Sequence, residues 1–75
     1  MKQFITVTEK ERKNKKGKIY APERKVIVNT SQIRLVFEDE GTCWMYRENM
    51  YKDKLYAYSY EIKETFEEVQ KLLCD

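Results

Sequence analysis

The chain has 75 residues, of which 41% are hydrophobic, 13% aromatic and 37% charged, with a net charge of +2. This length allows one small domain, the composition is too apolar for a disordered chain, and no apolar run approaches the roughly 20 residues of a membrane span. We therefore expect a single domain over residues 1–75 that does not enter the membrane and, since residues 1–4 do not resemble a signal peptide, lies in the cytoplasm.

The N-terminal part predicts strands on either side of a basic connection. Residues 2–9 alternate between polar and apolar side chains, which is the period of a half-buried strand. Residues 10–18 are rich in lysine and contain an Asn-to-Gly turn sequence, so we expect a basic hairpin or a flexible loop. Residues 19–21 predict a short returning strand, and residues 24–28 predict the second main strand.

The middle of the chain predicts a turn followed by a hairpin. Residues 29–31 offer side-chain oxygens that favour a turn or one helical turn. Residues 33–37 predict a strand in which Ile33, Leu35 and Phe37 share one face, and the acidic turn at 38–41 ends in glycine. Residues 42–46 predict the partner strand, and we expect the charged residues 47–54 to form a loop.

The C-terminal part predicts a last strand over residues 55–62 and a helix over residues 65–73. Thr65 and Glu68 have the spacing of a capping box at the start of that helix. The apolar side chains at helical spacing are Phe66, Val69, Leu72 and Leu73. A helix this short is unstable alone, so its apolar stripe should lie on the sheet. The predicted fold is α+β: a curled or barrel-like antiparallel sheet of four to five strands, with one C-terminal helix packed on it.

Two sequence segments resemble known small bacterial modules. The first contains Val28, Asn29 and Ile33 ahead of the hairpin; the second contains Glu64, Thr65, Glu67, Glu68 and Val69. Together they resemble the flagellar-operon FlbD-like family, and more weakly the C-terminal half of LytTR-type DNA-binding domains. The resemblance implies a small bacterial β-rich module, of the kind also found in mobile elements and phages.

The positive charge is concentrated at the N-terminus, because residues 1–25 carry +6 and residues 26–75 carry −4. The basic side chains that we consider candidate nucleic-acid contacts are Lys13, Lys15, Lys16, Lys18 and Arg24. A basic hairpin can follow a phosphate backbone and release counterions. The alternative is a solvated loop whose lysines protect a sheet edge.

Aromatic residues are concentrated on the last two predicted strands. The candidate interface residues are Trp44, Tyr46, Tyr56, Tyr58 and Tyr60. Tyrosine and tryptophan are enriched in protein interfaces, can stack on unpaired bases, and are also common in cores. The sequence leaves these three interpretations open.

Residue types that carry chemistry are few. The chain has no histidine, and its two cysteines, Cys43 and Cys74, do not have metal-ligand spacing. We expect free thiols, with a disulfide between the C-terminal helix and the sheet as the alternative. We also expect no metal, no cofactor, no small-molecule substrate and no enzymatic activity. The leading hypothesis is a non-enzymatic module that acts through a protein partner or as a homo-oligomer. The alternative is a nucleic-acid-binding accessory protein that uses the lysine-rich hairpin.

Overall fold

A computed structural model describes residues 2–74 of the protein. Within this range the regular elements are β1 Phe4–Glu9, β2 Arg12–Lys13, β3 Ile19–Ala21, β4 Arg24–Asn29, β5 Ile33–Asp39, β6 Thr42–Tyr51, β7 Lys54–Ile62 and α1 Phe66–Leu73. A 3₁₀ turn, Thr30–Gln32, connects β4 to β5. Among the described residues, no helix has both the length and the apolar character needed to cross a bilayer.

Five of the strands form one antiparallel sheet in the order β4–β1–β7–β6–β5, and β2 pairs with β3 in a separate two-stranded ladder. The prediction of an antiparallel sheet with one C-terminal helix is therefore confirmed. The sheet is open, with β4 and β5 as its two edges, so it is not a closed barrel. Its curl stays a prediction.

The core lies between the β1–β4 hairpin, the β5–β6–β7 meander and α1. Its buried apolar side chains are Ile5, Val7, Val28, Cys43, Met45, Ile62 and Val69. The alternation predicted for residues 2–9 is confirmed, since Ile5 and Val7 are buried while Thr6 between them is exposed. Val69 brings α1 into contact with both halves of the sheet, because the helix packs near β1 and β5.

The two halves of the sheet meet along a short seam. The only residue pair in the β1–β7 ladder of the described chain is Glu9 with Ile62. The flanking backbone hydrogen bonds run from Lys10 N–H to Glu61 O at 3.0 Å and from Lys63 N–H to Thr8 O at 2.9 Å. The Glu64 carboxylate reinforces the seam, because it accepts from the Thr8 N–H at 2.7 Å and from the Thr8 hydroxyl at 2.9 Å.

The C-terminal helix begins with the predicted capping box. The Thr65 hydroxyl accepts from the Glu68 N–H at 3.1 Å, and the Glu68 carboxylate accepts from the Thr65 N–H at 3.1 Å. Val69 is fully buried, and Leu72 and Leu73 pack beside it on the core. Phe66 departs from the predicted stripe, since it stays 37% exposed at the start of the helix.

Two predictions about the meander are wrong. Residues 47–54 are not a loop, because β6 continues to Tyr51 and only Lys52 and Asp53 form the turn, both at positive φ (50° and 63°). In β5, Ile33 does not share a face with Leu35, because the register shifts between them and Arg34 becomes an extra residue. Ile33 consequently packs on the core while Leu35 is exposed.

Candidate functional site

The β5–β6–β7 meander has one face on the core and an opposite face that carries an apolar surface. Cross-strand pairing places Phe37 beside Trp44, and Leu35 beside Tyr46. We name this surface the outer face, and its apolar members are Leu35, Phe37, Trp44, Tyr46, Met50 and Leu55. Leu35, Met50 and Leu55 each leave more than half of their surface exposed. We therefore treat the outer face as a candidate interaction surface.

Aromatic stacking orders one end of the outer face. The rings of Phe37 and Trp44 are parallel within 6°, with centroids 6.3 Å apart. Beside them the Tyr46 hydroxyl donates to a Glu48 carboxylate oxygen at 3.2 Å, and the other oxygen of that carboxylate pairs with Arg34 at 3.3 Å. The pKa of Tyr46 is raised, mainly by burial and secondly by the hydrogen bond to Glu48. The polar groups next to the aromatic rings are therefore paired with one another.

Apolar surface also continues around the free edge of β5. A crevice of about 300 Å³ separates this strand from α1 and is lined by Leu35 of the outer face together with Ile33, Val36, Phe66 and Leu73. Leu35 therefore belongs both to the outer face and to the crevice. Because β5 pairs with only one neighbour, its second edge offers unpaired backbone groups beside this crevice.

The structure divides the predicted aromatic set between the two faces of the sheet. Tyr56, Tyr58 and Tyr60 pair with Asn49, Arg47 and Met45, so they lie on the face opposite Trp44 and Tyr46. We name their group, with the neighbouring Tyr51, the tyrosine row. The ring centroids of Tyr58 and Tyr60 are 5.2 Å apart, and those of Tyr51 and Tyr56 are 6.4 Å apart. Tyr56 is 45% exposed, so the outer part of the row extends beyond the core.

A buried carboxylate holds the inner end of the tyrosine row in place. Glu9 is only 3% exposed and pairs with Arg24 at 2.9 Å and with Arg47 at 2.6 Å. Its hydrogen bond and its charge raise the pKa of Arg24. The Arg47 guanidinium stands 4.8 Å from the Tyr60 ring centroid, and its Nε is buried without a partner among residues 2–74. A charge network thus replaces apolar packing at this end of the core.

The basic hairpin is ordered, and its base touches the tyrosine row. The Asn14 side chain accepts from the backbone N–H groups of Lys16 and Lys18 at 2.9 and 3.0 Å. The guanidinium of Arg12 stands 4.5 Å from the Tyr60 ring centroid. The four predicted lysine contacts, Lys13, Lys15, Lys16 and Lys18, are all exposed on this hairpin. Arg24 does not join them as a free cation, because its side chain bonds to Glu9.

The two cysteines are not bonded to each other. Cys43 and Cys74 are both free; Cys43 is buried on β6 and Cys74 is exposed at the end of α1. Burial, together with the charges of Glu38 and Glu64, raises the pKa of Cys43, so its thiol is protonated near neutral pH. Among residues 2–74, no three acidic or thiol side chains come together as a metal site.

Comparison of the chain with protein-family models, curated proteins and solved structures gives no match. The resemblance to the FlbD-like and LytTR-type families therefore stays a prediction that rests on short sequence motifs. The surfaces described above supply the basis for a functional proposal.

Four members of the outer face, and two arginines that stack on Tyr60 of the tyrosine row, were not among the predicted site residues. They are Leu35, Phe37, Met50, Leu55, Arg12 and Arg47. Their alternation with buried neighbours along β5 and β6 was visible in the sequence. The outer face could not be predicted from this alternation, because a loop at residues 47–54 excludes Met50 from a strand and a shared face for Ile33 and Leu35 puts Leu35 towards the core.

Proposed function

We propose that the protein is a non-enzymatic module that acts through protein contacts, and that the outer face binds a second copy of the chain. The observation that carries this proposal is the stacked pair of Phe37 and Trp44, together with exposed aliphatic side chains elsewhere on the same face. Aromatic anchors surrounded by apolar contacts are typical of the centre of a protein interface.

The size of the outer face supports a weak to moderate association. Three strands about 4.8 Å apart and the six residue steps from Trp44 to Met50 give a patch on the order of 200–300 Å². A standard interface buries about 800 Å² on each partner, so the apolar centre alone is too small for a tight dimer. The crevice beside β5 and the polar rim add area, and we expect a dissociation constant in the micromolar range, roughly −8 kcal/mol.

The charges near the outer face favour an identical partner. In a dimer with two-fold symmetry the same surface meets itself, so a net charge at its centre would repel the second copy. Arg34 and Glu48 neutralise each other across β5 and β6. Glu61, which the register places beside Trp44 on the same face, pairs with Lys10 at 3.8 Å. The acids of the face are therefore both paired with cations, which limits the repulsion between two copies.

A charge introduced on the outer face tests the proposal. Leu35→Glu and Met50→Glu replace side chains that are 54% and 63% exposed, so the fold should tolerate them. Each would place two carboxylates in the interface, and we expect the dissociation constant to rise at least tenfold, or about 1.4 kcal/mol. The matched control is Ile27→Glu on β4, where the side chain is 74% exposed and lies outside the outer face.

Sedimentation equilibrium over a concentration series measures the association directly. Trp44 is the only tryptophan of the chain and lies on the outer face, so its fluorescence emission should shift to shorter wavelength as the concentration rises. A wild-type protein that stays monomeric with unchanged emission at the highest concentrations would overturn the proposal. An equal loss of association in Ile27→Glu would also overturn it, because the contact would then not depend on the outer face.

A further inference from the structure

We infer that the tyrosine row and the basic hairpin together bind single-stranded nucleic acid, on the side of the sheet opposite the outer face. This inference goes beyond the proposed self-association and does not depend on it. Proteins that bind single strands combine a positively charged track for the backbone with aromatic rings on which bases stack. Here the fold places both components next to each other.

The lysine turn supplies cations that no carboxylate neutralises. Of its lysines, Lys13 pairs with Glu11 at 3.7 Å, whereas Lys15, Lys16 and Lys18 have no carboxylate partner among the described residues. The hydrogen bonds of Asn14 and the positive φ of Gly17 (82°) hold the turn in one conformation. Three cations are therefore presented by an ordered turn, and the cost of ordering that segment is met before a ligand binds.

Arg12 connects the lysine turn to the aromatic rings. Its guanidinium covers Tyr60, and the Tyr58 ring follows at 5.2 Å from Tyr60. Arg47 lies over Tyr60 as well, and its guanidinium also stands 5.7 Å from the Tyr58 ring centroid. Tyr51, Tyr56 and Tyr58 keep 58%, 45% and 36% of their surface exposed. We assign Tyr56 and the exposed part of Tyr58, which follow Tyr60 along the row, as the stacking platform for unpaired bases.

A cavity on the other side of Arg12 extends the same surface. It measures about 290 Å³ and lies between the β2–β3 ladder and the sheet. Its lining includes Arg12, the exposed ring of Tyr20 and the mutually paired Glu9 and Arg24. Lys10, which also lines it, pairs with Glu61 only at 3.8 Å on the surface. A second aromatic ring and a partly exposed cation thus continue the surface beyond Arg12.

The arrangement favours a single strand over a duplex or an acidic peptide. A duplex keeps its bases stacked inside and presents only its backbone, so it would contact the lysines and leave Tyr56 and Tyr58 unused. An acidic peptide would satisfy the cations in the same limited way. A single strand can use both the cations and the rings, because every unpaired base has a π face.

Fluorescence anisotropy with a labelled oligothymidylate of about a dozen nucleotides tests the inference. We expect binding at low salt that weakens as salt rises, with a logarithmic slope of about −0.7 for each phosphate contact. Lys16→Gln combined with Lys18→Gln should reduce the slope by about 1.4. The matched control is Lys63→Gln combined with Lys71→Gln, which makes the same charge change elsewhere. Lys63 is paired with Glu23, and Lys71 lies in the last turn of α1, so the slope should stay unchanged.

The aromatic contribution needs its own variants. Tyr56→Ala and Tyr58→Ala should each weaken binding by about fivefold or more, whereas Tyr56→Phe should keep wild-type affinity because the ring is retained. Tyr56 lies outside the core, so an unchanged unfolding curve shows that the fold is intact. Leu35→Glu should bind the oligonucleotide as the wild type does, which separates this inference from the proposed self-association.

Three results would overturn the inference. The first is the absence of binding to the oligonucleotide at low salt. The second is binding that Tyr56→Ala and Tyr58→Ala leave unchanged. The third is equal affinity for a duplex of the same length or for polyglutamate, because the surface would then act only as a nonspecific cation patch.

Discussion

Removal of the Glu9 carboxylate should destabilise the protein more than removal of any exposed acid. The Glu9 side chain is 4% exposed, and its strongest partner, Arg47, is 13% exposed at 2.6 Å. In Glu9→Ala the guanidinium of Arg47 would stay buried without a counter-charge, and its Nε already lacks a partner within residues 2–74. Breaking a buried pair from one side costs about 3–5 kcal/mol. Arg24 adds little to this loss, because its side chain is 63% exposed.

The size of this loss matters because the domain is small. At about 0.05–0.15 kcal/mol per residue, 75 residues give a free energy of unfolding of roughly 4–11 kcal/mol. Glu9→Ala should therefore remove about a quarter or more of the total stability. Because a loss of 1 kcal/mol lowers Tm by about 4–8 °C in a domain of this size, we expect Tm to fall by at least about 12 °C.

Urea unfolding followed by circular dichroism measures the effect. The control is Glu61→Ala, whose pair with Lys10 is 3.8 Å long and about 40% exposed on both sides, so it should cost less than about 1 kcal/mol. In the double variant Glu9→Ala/Arg47→Leu, part of the stability should return, because no uncompensated charge stays buried. Equal losses in Glu9→Ala and Glu61→Ala would refute the view that Glu9 is a structural counter-charge.

Three further predictions concern the helix and the thiols. Thr65→Ala removes the capping hydroxyl and should lower the free energy of unfolding by about 1 kcal/mol in the same urea experiment, whereas an unchanged value would mean that the cap does not stabilise α1. Iodoacetamide should modify exposed Cys74 quickly and buried Cys43 only when the fold opens, and equal rates measured by mass spectrometry would contradict the burial of Cys43. The pKa of Cys43 is raised in the folded state, so the folded protein holds this proton to higher pH than the unfolded chain. The resulting stabilisation is complete below the thiol's unfolded pKa of about 8.5 and declines as the pH rises beyond it. Cys43→Ala should therefore lose less stability at alkaline pH than the wild type does.

Local sequence signals predicted the elements whose structure depends on near neighbours. The capping box at Thr65 and Glu68 acts over one helical turn, and the alternation around Ile5 and Val7 is a property of a single strand. In both cases the residues that decide the structure stand within a few positions of one another. This is why the sequence alone was sufficient for the strands and the helix.

The errors occur where pairing with a distant strand decides the structure. The extension of β6 from Arg47 to Tyr51 mixes charged, polar and apolar residues, so no alternation predicts it, and its ladder with β7 makes it a strand. The turn that follows uses Lys52 and Asp53 at positive φ without a glycine, so the usual hairpin sequence is absent. The bulge at Arg34 likewise depends on the register with β6 and exchanges the faces of its neighbours.

The candidate surfaces were predictable only as residue types. The sequence identified aromatic and basic residues, but it did not show that Trp44 and Tyr58 lie on opposite faces, because that depends on how two strands pair. From the sequence, Glu9 is one acidic residue in a basic segment, and nothing there predicts that it is buried. The structure instead buries Glu9 between two guanidinium groups from β4 and β6.

The short seam between β1 and β7 determines how the molecule can come apart. Only one residue pair joins the β1–β4 strands to the β5–β6–β7 meander, so few backbone hydrogen bonds couple the opening of the two parts. Cohesion between the two parts therefore comes mainly from side chains: Val69 of α1 packs in a core that β1 and β6 share, and the Glu9 carboxylate pairs with Arg47 across the same boundary. A chain that stops before Val69 would lose one of the side chains of that shared core, so the end of the polypeptide helps to make the two parts one cooperative unit.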